Sequence, residues 1–214
     1  MTKKKFSKVL VADDHAVVRT GIKFLLKGVD PAVDVTPAED FFELLELIRK
    51  EAFDVLILDI NIPGGDNIGM ISTIRRHRPE LPILIFTSYS EKIYGLPYLQ
   101  EGADGFLSKD ASEEDLLEAL KCIEQGKKYI GATLRENMLE SLISSGVNPE
   151  NPLARLSIRE LDVANLLIKG YSTGEIANQL NLQRSTISTF KARIFAKMEV
   201  TNLVELIAKM KGSA

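Results

Sequence analysis

Four short apolar runs, each followed at once by a charged or hydroxyl residue, constrain this chain more than any other feature. Lys8-Val-Leu-Val-Ala12 leads into Asp13 and Asp14, Asp54-Val-Leu-Ile-Leu58 into Asp59, Pro82-Ile-Leu-Ile-Phe86 into Thr87, and Gly105-Phe-Leu-Ser108 into Lys109. Runs this short, rich in Val, Ile and Leu, read as strands covered on both faces, as in a parallel sheet. Between them lie stretches with helical spacing. Val18, Ile22, Leu25 and Leu26 share a face in 15–27, as do Phe41, Leu44, Leu45 and Ile48 in 40–50, and further helices fit 67–76 and 112–125. With a short strand near 32–35, five strands alternate with five helices, which predicts a doubly wound α/β sheet.

Ligands of such sheets bind beyond the carboxyl ends of the strands. Asp13, Asp14, Asp59, Thr87 and Lys109 are therefore expected to meet in one shallow pocket. Clustered carboxylates repel one another unless a cation joins them. Magnesium is the cation expected, because it takes oxygen ligands, keeps several waters and pairs one or two carboxylates with a phosphate. Asp13 and Asp14 then hold the ion, Asp59 attacks phosphorus to become an acyl phosphate, and Thr87 and Lys109 bind the phosphoryl oxygens. Each residue alone would be read as a loop or helix cap; five at successive strand ends would not.

At 214 residues with 45% hydrophobic content, two domains with a core each are expected. The single cysteine, Cys122, excludes a disulfide framework. No apolar run approaches the ~20 residues needed to span a bilayer. Thr2-Lys-Lys-Lys5 runs directly into a strand pattern rather than a signal peptide, so a cytoplasmic soluble protein without membrane partners is expected. The net charge of -3 hides an asymmetry: residues 153–214 carry nine Lys and Arg against five Asp and Glu, so that part is basic and the remainder acidic. A metal or partner site in one part and a polyanion surface in the other would suit that division.

The second part reads as all helical, with helices over 157–169, 173–180, 184–198 and 202–210, Ser157 and Glu160 forming a capping box at the first. The tight link at Asn181-Leu-Gln183 suggests a helix-turn-helix whose second helix reads DNA. On that helix Ile187, Phe190, Ile194 and Met198 fall together on the inner side. Ser185, Thr189, Ala192 and Ala196, flanked by Ser188 and Arg193, form a small polar face able to lie deep in a major groove. Arg184 and Lys191 sit nearer the edges, suited to phosphates. The expected division is 1–127, a connecting segment 128–152 with a helix in 133–143, and 153–214. One helix is irregular: Gly95 and Pro97 oppose a continuous helix over 90–101, which should be short, kinked or begin only at Pro97.

Residues 8 to 126 resemble the receiver domain of bacterial two-component response regulators, in Ala12-Asp-Asp-His15, Leu58-Asp-Ile-Asn-Ile-Pro-Gly64, Phe86-Thr-Ser88 and Gly102-Ala-Asp-Gly-Phe-Leu-Ser-Lys109. Residues 153 to 210 resemble the LuxR/NarL-type helix-turn-helix, in Leu156-Ser-Ile-Arg-Glu160, Gly170-Tyr-Ser-Thr-Gly-Glu-Ile-Ala177 and Ser185-Thr-Ile-Ser-Thr-Phe-Lys-Ala-Arg-Ile194. The resemblance implies a flavodoxin-like sheet of order 2-1-3-4-5. It implies a phosphoacceptor, not an enzyme turning over an external substrate: Asp59 takes a phosphoryl group from a histidine kinase and promotes its own phosphorylation and dephosphorylation. Magnesium then lies among Asp13, Asp14, Asp59 and the backbone carbonyl of Asn61. Thr87 and Phe106 form a switch pair, Asn61 and Tyr89 tune the acyl phosphate's lifetime, and the active form is a homodimer on double-stranded DNA.

The chain departs from the family pattern at several positions. Phe106 stands where Tyr is common, Gln183 where a capping Ser is usual, and Ser188 and Phe190 where many members have Lys and His. Two other readings remain: a phosphatase using an aspartyl phosphate, which generally needs a second acid at the place of Asn61, and a helical module that binds protein.

Overall fold

Backbone groups inside an apolar run can be satisfied only by neighbouring strands, and this chain satisfies them in one parallel sheet. A computed structural model describes residues 6–65, 69–136, 156–180 and 182–212. The strands are β1 (Lys8–Ala12), β2 (Asp34–Ala38), β3 (Val55–Leu58), β4 (Ile83–Thr87), β5 (Gly105–Ser108) and β6 (Tyr129–Ile130), in the order β2-β1-β3-β4-β5-β6. The order of the first five is the flavodoxin-like one, but the expected count of five is corrected to six. β6 is only two residues long, Tyr129 opposite Gly105 and Ile130 opposite Phe106, too short for any periodicity to announce. β2 runs further than expected and includes Pro37, which an edge strand accepts because one side of its backbone donates to no neighbour.

Helices α1 (Ala16–Val29), α2 (Phe41–Lys50), α3 (Gly69–His77), α4 (Glu91–Glu101) and α5 (Glu113–Glu124) connect the strands. The expected start of the third helix, Asn67, lies outside the described residues. Val9, Leu10, Val11, all of β3 and Ile83 to Ile85 are essentially solvent-free, which requires helices on both faces. The irregular helix differs from expectation: α4 is continuous from Glu91, with Pro97 inside it. Proline there deprives the Ile93 carbonyl of its helical amide. Burial of Tyr94, Tyr98 and Leu99 offsets that loss, and Gly102, at φ 116°, supplies the left-handed cap.

By its internal contacts the chain divides into two compact units, residues 1–136 and 137–214. Residues 132–136 are a turn of helix at the end of the first unit. The rest of the helix expected in 133–143, and the connector at 144–152, lie outside the described residues.

The second unit contains α6 (Ile158–Ile168), α7 (Thr173–Gln179), α8 (Arg184–Lys197) and α9 (Leu203–Gly212). Ser157 and Glu160 make the expected capping box, and Ser172 with Glu175 repeats it at α7. Gln183, as its chemistry suggests, gives α8 no side-chain cap. Instead α8 is anchored at its far end, where Lys197 Nζ lies 2.6 Å from Glu160 Oε2.

Glu160 is only 3% exposed. Burial pushes its carboxyl upward, but the Lys197 ammonium and the Ser157 amide and hydroxyl outweigh that and hold it below the ordinary 4.5. Removing one partner of a buried pair strands the other, and with Lys197 41% exposed the expected cost of Lys197→Met is about 1–2 kcal/mol at pH 7. A depressed folded-state pKa contributes stability that is complete above the unfolded value and lost as pH falls through the folded one. Urea unfolding should therefore show Lys197→Met converging with the parent in acid; an equal gap at every pH would contradict this.

Candidate functional site

Parallel register brings the strand ends together. Ala12 is opposite Leu58, so Asp13 and Asp59 emerge side by side, and the Asp59 amide donates to the Ala12 carbonyl at 2.8 Å. Thr87 is opposite Ser108, and the Lys109 amide donates to the Thr87 carbonyl at 2.8 Å. Each functional residue is thus fixed by the last backbone bonds of its own strand.

Asp13 and Asp59 are 2% and 4% exposed. Two buried carboxylates at this spacing need a cation, and Lys109 supplies it: its Nζ lies 2.6 Å from Asp13 Oδ2 and 2.7 Å from Asp59 Oδ2. Burial works against the ammonium, but its hydrogen bonds to both carboxylates prevail and hold its pKa above the ordinary value. The second Asp59 oxygen accepts the Asn61 amide at 3.1 Å. Asp14 lies at the rim, where its Oδ1 is 2.7 Å from His15 Nδ1.

One ligand atom from each of Asp13, Asp14, His15 and Asp59 lies within 4.8 Å of the others. Three carboxylates gathered so closely are a hard-oxygen donor set, which fits a small divalent cation of the magnesium kind. His15 was not singled out in the sequence reading, which saw only the start of a helix. Its amide donates to Asp13 Oδ1 at 2.8 Å, and its ring faces both acids. Arg19, one turn further along α1, was missed as well. It donates to the Asp13 carbonyl at 2.7 Å and pairs with Glu39, bracing the loop that presents the acids.

Thr87 is fully buried, and its Oγ1 has no hydrogen-bond partner among the described residues. An orphaned buried hydroxyl is costly unless a ligand satisfies it. Phe106 is also fully buried, its ring 6.0 Å from that of Tyr98. Tyr89, in the loop after Thr87, meets Tyr94 edge-on at 4.9 Å.

On α8, Ile187, Ile194 and Met198 are buried as expected, but Phe190 is corrected to a half-buried position at the edge of that stripe. At about 100° per residue it lies off the core direction. There it lines a shallow depression of about 320 Å³ with Ser185, Thr186, Thr189 and Arg193. Ser188 and Thr189 donate back to the carbonyls of Arg184 and Ser185, both at 3.0 Å, which leaves their oxygens outward as acceptors. Arg184 is exposed, while Lys191 Nζ lies over the Phe195 ring at 5.4 Å. No helix among the described residues is long and apolar enough to cross a membrane.

Comparison with known proteins assigns both units. Residues 9–121 match the model of the response regulator receiver domain, and residues 154–210 that of bacterial regulatory proteins of the luxR family. Oxygen regulatory protein NreC of Staphylococcus haemolyticus (strain JCSC1435) is 34% identical over 206 residues, 94% of each chain; that of Staphylococcus aureus (strain MRSA252) is 33% identical with the same coverage. Among solved structures, RcsB from Salmonella enterica serovar Typhimurium, bound to promoter rprA in the presence of phosphomimetic BeF3-, is 28% identical with a TM-score of 0.72, covering 97% of this chain and 99% of its own. An RcsB-DNA complex is 29% identical with a TM-score of 0.60, covering 98% and 100%. With one model matching the acid-lined sheet and the other the helical unit, the chain belongs to the two-component response regulators of the LuxR type.

Proposed function

We propose that Asp59 accepts a phosphoryl group from a histidine kinase and that this controls how residues 153–214 bind double-stranded DNA. The observation that carries the reading is the Lys109 ammonium bridging the buried carboxylates of Asp13 and Asp59 at 2.6 and 2.7 Å. A carboxylate oxygen of Asp59 attacks phosphorus, the bond from phosphorus to the donor's imidazole nitrogen breaks with its electron pair leaving on nitrogen, and Asp59 becomes an acyl phosphate. Asp13, Asp14, Asp59 and the Asn61 carbonyl would hold a magnesium ion, whose contribution is to neutralise charge on the phosphoryl oxygens.

Lys109 already stands against the attacking carboxylate, so it offers its charge to the incoming phosphoryl oxygens with little rearrangement. The orphaned Thr87 hydroxyl gains an acceptor among them. Water later attacks phosphorus, the bond to the Asp59 oxygen breaks, and inorganic phosphate leaves with the Asp59 carboxylate restored; Asn61 and Tyr89 would govern the approach of that water. The chain thus promotes its own phosphorylation and dephosphorylation and turns over no external substrate.

In the second unit, Ser185, Ser188, Thr189 and Arg193 face base edges while Arg184 and Lys191 take phosphates. RcsB has been described as two dimers bound to two parallel DNAs, and the likeness supports a DNA-bound homodimer here. The working division is a phosphoacceptor domain over 1–127, a connector over 128–152 and a DNA-binding domain over 153–214, acting in the cytoplasm where chromosomal DNA lies.

The test is labelling with a small phosphodonor, with and without magnesium, followed by selection of bound sequences from a random DNA pool. Magnesium-dependent label and a phosphorylation-dependent enriched sequence are expected. Label without any enrichment would remove the DNA half of the reading.

A further inference from the structure

Helix α4 carries Gly95 and Pro97, two residues that oppose a helix, yet it is continuous and buries Tyr94 and Tyr98. Residues 128–136 touch it at three levels. Near its carboxyl end the Lys128 ammonium donates to the Leu99 carbonyl at 2.7 Å, a cation where the helix dipole favours one. At mid-helix the buried Leu134 fills the space that Gly95 leaves: a Cβ at position 95 would lie 2.8 Å from Leu134 Cδ2. At the first turn Gly131 sits so close to the Glu91 carboxyl that a side chain at 131 would collide with Oε1. Burial raises the Glu91 pKa, and Glu91 Oε1 is buried without a hydrogen-bond partner among the described residues.

The same segment borders the residues of the phosphoacceptor pocket. Ile130 in β6 is opposite Phe106, whose ring meets Tyr98 of α4. Glu91, the first residue of α4, follows Thr87 across the short loop 88–90, and Tyr89 in that loop contacts Tyr94. Movement of Thr87 toward a phosphoryl oxygen therefore pulls on the turn that Gly131 and Leu134 hold.

We propose that residues 128–136 are a clamp on α4, with Glu91, Gly95 and Leu134 as positioning residues that hold Thr87 where it stands in the unphosphorylated protein. This rests on the reading of Asp59 as phosphoacceptor. Coupling between two equilibria is reciprocal: to the degree that the clamp opposes the phosphorylated arrangement, phosphorylation loosens the clamp by the same factor. Residues 128–136 are also the first part of the connector that leads to the DNA-binding domain, so release of the clamp is a signal the second unit can receive.

Three variants of the full-length protein test this: Gly95→Ala, Leu134→Ala and the two together. Alanine is the better helix former, so a loosened clamp in Gly95→Ala cannot be ascribed to a melted α4. In each single variant, amide exchange across 128–136 should quicken, and the acyl phosphate formed from acetyl phosphate should accumulate faster and last longer, by about fivefold or more. The double variant should return toward wild type, because the added methyl group occupies the space the shortened side chain vacates. Phosphorylated wild type should show the same quickened exchange. Faster exchange with labelling rate and lifetime within about twofold of wild type would reduce the clamp to packing and overturn the proposal. A wild-type protein that takes no label would instead overturn the reading of Asp59, and the clamp with it.

Discussion

Asp59→Asn is expected to take no phosphoryl group from a small donor, at least about 10³-fold below wild type, which corresponds to about 4 kcal/mol of lost transition-state stabilisation. The amide is nearly isosteric with the carboxylate but has no anionic oxygen to attack phosphorus. The fold should persist, because Lys109 keeps Asp13 as a partner at 2.6 Å and the Asn61 amide still finds a side-chain oxygen. Relief of repulsion between two buried carboxylates offsets part of the lost ion pair, so the thermal midpoint should stay near that of wild type. Intact mass and radiolabel measure the first claim and thermal unfolding the second. Full labelling of the variant would place the phosphoacceptor elsewhere. A variant that is unlabelled but also unfolded would show that the Asp59 and Lys109 pair carries more of the fold than its geometry suggests.

The pocket was legible in the sequence because parallel strands in register end together: apolar runs fix the strands, and the residue after each run falls at the same edge. That logic reached Asp13, Asp59, Thr87 and Lys109. It could not reach His15, just before α1, or Arg19, on its first turn, because helical spacing does not say which way their side chains turn. Only the fold shows them against Asp13. The continuity of α4 was illegible for a related reason. Local propensity at Gly95 and Pro97 argues against the helix, and the opposing contribution comes from burial of Tyr94, Tyr98 and Leu99 and from contacts with Lys128 and Leu134, more than thirty residues away. β6 was too short to leave a pattern. In the second unit, periodicity placed Ile187, Ile194 and Met198 correctly, while Phe190, at the boundary of the stripe, was decided by tertiary packing.

DNA affinity should fall by about 10²-fold as monovalent salt rises from 50 to 200 mM, if the active species is a dimer. Arg184 and Lys191 give two phosphate contacts per protomer and four per dimer. Each phosphate neutralised contributes about -0.9 to the slope of log affinity against log salt, so the slope should be near -4. Lys191 decides the finer outcome. Its ammonium lies over the Phe195 ring at 5.4 Å, a placement that must be given up if it is to reach a phosphate. Cation-π attraction at an exposed site is worth only about 0.5–1 kcal/mol. A phosphate contact exceeds that at low salt, so Lys191 should leave the ring on binding. Lys191→Gln should then make the slope shallower by about 2, one phosphate in each protomer. An unchanged slope would mean that Lys191 stays on Phe195 and braces α8 instead of touching DNA, and a flat salt response in the wild type would mean that α8 does not lie against a phosphate backbone at all.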